Sequence, residues 1–179
     1  LDPGAIHGLA AAPGGRLWLS QEDRLMLLNA DGSWQRQTLP PGVTALRGLA
    51  AGADGRVYVA APGQLLERGT DGRWTMHALV GLGTDVAVAA DGALAVATVA
   101  ELYLRLPGRS WEVLSLSKGN LDALPLAVAF DAAGRLILGT DDGPRRREAD
   151  GRWTRWAGAA AGAFCYAVAV DPDGRVLAG

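Results

Sequence analysis

Short apolar runs separated by glycine-centred turns recur along the whole chain. GLAAA, GLAAG, VAVAA, AVAFD and AVAVD are followed in turn by GRLWLS, GRVYVA, GALAVA, GRLILG and GRVLAG. The second set alternates around branched, Leu and aromatic residues, the period-2 pattern of strands. Gly14-Gly15, Asp54-Gly55, Asp91-Gly92, Ala133-Gly134 and Asp173-Gly174 join the two sets. Asp-Gly and Gly-Gly readily take the positive φ of a tight hairpin, so each pair of runs reads as a hairpin of strands a and b. RLMLLN, QLLERG and ELYLRL supply a strand c, and turns at Asp31-Gly32, Asp71-Gly72, Gly108 and Asp150-Gly151 lead to a strand d that opens with Trp. No window sustains a 3.6 period long enough for paired helices.

Two anchors show that these units are repeats. Gly15, Gly55, Gly92, Gly134 and Gly174 are 40, 37, 42 and 40 residues apart, and Trp34, Trp74, Trp111 and Trp153 each follow their glycine by 19. All length variation therefore falls between one Trp and the next anchor glycine. Four-stranded units at this period stack radially in β-propellers, with strand a along the crowded central channel. The sequence predicts an all-β chain forming one β-propeller domain over 1–179, with repeats near 8–47, 48–84, 85–126, 127–166 and 167–179. That is four complete blades and half of a fifth. The recurring Trp residues are expected to pack between neighbouring sheets.

VAVDPDGRVLAG and LAVAFDAAGRLILGTDDG resemble the two-component regulator propeller repeat: an apolar strand, Asp-x-x-Gly, then a strand ending in Gly-Thr. The resemblance implies an extracytoplasmic, periplasmic-side sensing module of a bacterial signalling protein, which recognises a ligand and is not catalytic. Streptogramin lyase and lactonase propellers are the enzymatic alternative. Those place metal ligands and a general base at the channel mouth, where this chain offers only His7, since His77 falls within strand d. The NADGSW, TDGRW and EADGRW turns are similar to the Asp-box of sialidase-like propellers, but here Asp and Gly are adjacent instead of one residue apart.

Composition narrows the chemistry. With 179 residues, 49% hydrophobic content and net charge −2, the chain can bury roughly 70% of its unfolded surface. Nothing in this balance calls for nucleic acid or an anionic membrane as partner. No apolar stretch is long enough for a transmembrane helix. The lone Cys165 has no second thiol with which to build a disulfide, zinc or redox motif. The chain has no glycine-rich loop leading into a helix, no Gly-x-Ser-x-Gly and no His-Glu-x-x-His, so no cofactor is expected. Asp54, Asp91, Asp131, Asp171 and Asp173 read as turn formers and not as calcium ligands. Gly143-Pro144-Arg145-Arg146-Arg147 breaks the apolar strand c pattern of the other repeats, and is expected to be a solvated outer edge.

Strand direction then divides the loops. The d–a and b–c loops share one face, and the near-identical a–b and c–d turns share the other. The first face holds the variable segments PPGVTALR, SKGNLDALP and AGAAAGAF, and variable loops on a repeated scaffold are where binding usually resides. Eight residues before each anchor glycine stand His7, Arg47, Thr84, Leu126 and Tyr166, expected to ring one channel mouth. Beside them the b–c loops carry Gln21, Glu22, Asp23, Gln64, Glu101, Asp141 and Asp142. This polar, mixed rim suits a small polar ligand or a protein partner. A cluster of His7, Glu22 and Asp141 would instead favour an enzyme, and a flat rim a structural interaction platform. The fifth repeat stops after two strands, so an incomplete ring is expected, with an open blade edge that invites self-association.

Overall fold

The structure, a computed structural model, describes residues 5–156, 162–171 and 173–179. Strands β1 (Ile6–Ala12), β2 (Arg16–Gln21), β3 (Arg24–Leu28) and β4 (Trp34–Gln37) form the first antiparallel sheet in sequential order. Next come β5 (Leu49–Ala51), β6 (Val57–Arg68), β7 (Trp74–Val88), β8 (Leu94–Thr98), β9 (Glu101–Arg105) and β10 (Glu112–Ser115). A second four-stranded sheet follows as β11 (Pro125–Phe130), β12 (Leu136–Thr140), β13 (Arg145–Arg147) and β14 (Trp153–Arg155). The hairpin β15 (Val168–Val170) and β16 (Val176–Ala178) ends the chain. No α-helix occurs among the described residues.

The turns explain the repeat. Every anchor glycine has positive φ, from 69° at Gly15 to 89° at Gly92, and so do Gly32, Gly72, Gly108 and Gly151 of the c–d turns. The aspartates beside them accept backbone amides two residues on: Asp54 from Arg56 at 3.0 Å, Asp91 from Ala93 at 2.9 Å and Asp71 from Arg73 at 3.0 Å. These are Asx turns, the role the sequence suggests for them.

The second and third blades depart from the expected separate sheets. Six strands form one hydrogen-bonded series, because β7 pairs with β6 through its first half and with β8 from Gly83 onward. This crossover lies in the shortest repeat, 37 residues between Gly55 and Gly92, which leaves the chain no slack to form a loop. It turns instead within an extended strand at Gly81, whose φ is 86°. Likewise β6 holds both strands b and c around Gly63, whose φ is 69°.

Three apolar clusters lie between successive blades, not inside one common core. Leu25, Leu27, Leu46, Val57 and Leu66 join the first blade to the second, Tyr58, Leu65, Leu94 and Val96 the second to the third, and Leu102, Leu104, Leu136 and Leu138 the third to the fourth. Trp74, Trp111 and Trp153 each pack into the cluster shared with the preceding blade. Trp74 also donates its indole N–H to the Thr38 carbonyl at 2.9 Å. Trp34 of the first blade is exposed. Repetition of these residues thus reflects repeated sheet-on-sheet burial.

The fourth blade corrects the reading of Arg145–Arg147 as a solvated edge. β13 sits between β12 and β14, and Arg145 is only 1% exposed. Its guanidinium donates to Asp122 and, at 3.0 Å, to Asp142. Arg146 pairs with Glu148 and Arg147 with Glu112. Local carboxylates, invisible to a strand-pattern reading, neutralise the run.

Candidate functional site

The inner strands place three of the predicted residues at a recurrent irregularity. In β1 the pairing skips from Ile6 to Gly8, in β7 from Gly83 to Asp85, and in β11 from Pro125 to Ala127. The residues left out are His7, Thr84 and Leu126. A β-bulge of this kind bends the strand and re-aims the side chain of the extra residue. Arg47 and Tyr166 occupy the same places just before β5 and β15. Arg47 donates its amide to the Ala60 carbonyl at 2.8 Å, and Ala167, next to Tyr166, does so to Gly179 at 2.8 Å.

Contacts within this face differ from residue to residue. Arg47 Nη1 lies 3.2 Å from His7 Nδ1, linking the first two blades. The Arg47 carbonyl accepts the Ser20 hydroxyl at 3.1 Å, and the Glu22 carbonyl accepts the Leu46 amide at 2.9 Å, so the b–c loop of one blade holds the d–a loop leading to the next. The Thr84 hydroxyl is buried without a partner among the described residues. Tyr166 is exposed and stacks on Phe164 with ring centroids 5.6 Å apart.

Several b–c loop carboxylates proposed for the rim are already engaged. Asp141 accepts the Leu124 amide at 2.8 Å, Asp142 holds Arg145 and Arg155, and Glu101 accepts the Tyr103 hydroxyl. Tyr103 in turn accepts the Val80 amide at 2.7 Å, and burial, together with Glu101, raises its phenol above the ordinary value. Asp23 lies 3.5 Å from Arg24. Gln64 is placed in β6 opposite Ala78. His7, Glu22 and Asp141 do not assemble, and among the described residues no three His, Cys, Asp or Glu side chains stand close enough to hold a metal ion. Most of the AGAAAGAF loop lies outside the described residues.

The sequence reading missed two groups. Asp85 lies seven residues before its anchor glycine, where the other repeats have Gly8, Gly48, Ala127 and Ala167. Its carboxylate accepts the Val86 amide at 2.8 Å and, from the next blade, the Val128 amide at 2.9 Å. Burial between the inner strands pushes its pKa up to about 6, against the lowering effect of the Val128 and Val86 amides. Glu67 lies 12 residues after its anchor, where Leu27 and Leu104 stand in the blades on either side. It meets Arg56 at 2.6 Å, His77 at 2.9 Å and Arg105 at 3.4 Å. Burial alone would raise the Glu67 carboxyl, but hydrogen bonds from His77 and Arg56, with the nearby Arg105 charge, hold it below its ordinary value. Aligning the repeats would have flagged both residues as charges at apolar or small positions.

Clefts also open between blades on the opposite face, the one carrying the a–b and c–d turns. One of about 450 Å³ lies beside Arg16, Trp18 and Arg68, one of about 310 Å³ beside Arg56 and Arg105, and one of about 360 Å³ beside Arg135 and Arg147.

No protein-family model matches the chain, and no curated protein matches it. Solved structures do. Virginiamycin B lyase from Staphylococcus aureus superposes with a TM-score of 0.80 at 15% identity, over 99% of this chain and 64% of that one. A gluconolactonase from Xanthomonas campestris gives 0.73 at 14% identity, over 97% of this chain and 68% of that one. The extracellular domain of a protein described as a hybrid two-component system from B. thetaiotaomicron gives 0.73 at 14% identity, over 99% of this chain and 26% of that domain. These are β-propeller proteins, and this chain has the same all-β fold of four-stranded blades. It spans less than two thirds of the lyase's length.

Proposed function

We propose that this propeller segment is a non-catalytic ligand-binding module of a bacterial signalling protein, sensing a small polar ligand on the face formed by the d–a and b–c loops. The observation that carries this reading is the recurrent placing of His7, Arg47, Thr84, Leu126 and Tyr166 at the entrance to successive inner strands, with a bulge at His7, Thr84 and Leu126. A repeated scaffold that aims chemically unlike side chains at one mouth suits recognition of one asymmetric molecule. The resemblance to two-component regulator repeats and the likeness to a two-component extracellular domain support a sensory role on the extracytoplasmic side.

The test is a thermal-shift screen of sugars, amino acids and organic acids against the wild-type chain, Arg47→Ala and Tyr166→Ala. A compound that raises the wild-type midpoint and fails to raise that of either variant, while all three fold alike, supports the reading. Turnover of a lactone or of virginiamycin B by the wild-type chain would overturn it in favour of the lyase or lactonase alternative.

A further inference from the structure

Away from the loop face, the contact between the second and third blades has an unusual composition. At the position of Leu27 and Leu104 it holds Glu67, which is buried and bound by Arg56, His77 and Arg105. Arg105 lies over Trp111, with its guanidinium carbon 4.9 Å from the ring centroid, and His77 meets the same ring edge-on at 6.1 Å. A cleft of about 310 Å³ opens beside this group, lined by Tyr58, Arg56, Arg105 and, from the c–d turn of the third blade, Arg109.

Donors and acceptors in this cleft are unequally committed. Asp54, Asp91 and Glu67 balance the three arginines in formal charge, but each is already used within the chain. Asp54 accepts the Arg56 amide, Asp91 accepts the Ala93 amide, and both Glu67 oxygens are taken. Arg109, by contrast, makes no side-chain hydrogen bond or ion pair with any described residue, and Arg105 reaches Glu67 only at 3.4 Å. The cleft therefore has guanidinium donors to spare on Arg105 and Arg109, against one uncommitted carboxylate oxygen on Asp91. A guanidinium held over an aromatic ring loses little freedom when it grips a planar oxyanion, and its fork matches a carboxylate through two parallel hydrogen bonds.

We propose that this cleft binds a small organic carboxylate, gripped by Arg105 and Arg109 with Arg56 at its side. Glu67 acts as a positioning residue that holds Arg56 and Arg105 at the cleft floor. The site lies on the turn face and is independent of the mouth ringed by Arg47.

The test is isothermal titration of acetate, malonate, citrate and inorganic phosphate at constant ionic strength. The proteins compared are the wild-type chain, Arg109→Ala, Arg47→Ala and Arg152→Ala, the last removing a similar exposed arginine from another c–d turn. Saturable binding of a carboxylate, weakened at least about tenfold by Arg109→Ala with an unchanged melting midpoint and unaltered by Arg152→Ala, is expected. Binding of phosphate in place of the carboxylates would overturn the ligand class. No saturable binding, binding indifferent to Arg109→Ala, or binding lost in Arg47→Ala would overturn the site.

Discussion

The Asp85 carboxylate on the inner strand of the third blade accepts the backbone amide of Val128 on the inner strand of the fourth, at 2.9 Å. This joins two blades at the channel wall, and burial there raises the Asp85 pKa to about 6. A carboxyl raised in the folded state contributes stability that is fully present below its unfolded pKa of about 4 and is lost as pH rises through about 6. Asp85→Asn cannot ionise. Its stability relative to wild type should therefore rise between pH 4 and 7, by on the order of 2–3 kcal/mol. Urea unfolding at several pH values checks this, and a difference that stays flat or falls would refute the linkage.

Gly48 and Gly15 should respond differently to alanine. A Cβ on Gly48 would stand 2.5 Å from the Asp85 Cα and 2.6 Å from the Val86 nitrogen, both backbone atoms of the next inner strand. Gly15 has open space around it but a φ of +69°. Gly15→Ala is expected to cost about 1 kcal/mol through backbone strain. Gly48→Ala should cost about 3 kcal/mol or more, because two strands must part. Denaturant midpoints compared at equal m-values decide the order.

Replacing Glu67 by leucine restores the residue type of the neighbouring blades. Arg56 can then turn to solvent, but His77 and Arg105 lose their common carboxylate, so Glu67→Leu is expected to be less stable than wild type, though by less than Glu67→Ala because leucine fills the space. Glu67→Ala should be less stable than wild type, since it leaves a void and strips His77, Arg56 and Arg105 of their common partner. The Glu67 carboxyl is held below its ordinary value, so its contribution is present above the unfolded pKa and lost as pH falls through the folded one. The deficit of Glu67→Leu relative to wild type should accordingly shrink in acid. Chemical denaturation at pH 7 and in acid separates these outcomes.

Much of this architecture was legible in the sequence because its signals are local. An anchor glycine such as Gly55 takes positive φ whatever surrounds it, Asp54 caps its own turn, and a Trp recurring 19 residues later marks a sheet that needs a neighbour to cover it. The equivalent places of His7, Arg47, Thr84, Leu126 and Tyr166 followed by counting back from those glycines, although the bulges at His7, Thr84 and Leu126 did not. Other features were set only when blades met. Arg145 is buried because Asp122 and Asp142 arrive from separate loops, and Asp85 titrates high because the next blade closes over it. The run of six paired strands arises where a short repeat leaves no room for a loop. Turn and strand preferences belong to a few consecutive residues and are written in the chain. Burial of a charge depends on what another blade brings against it, and that is decided only in three dimensions.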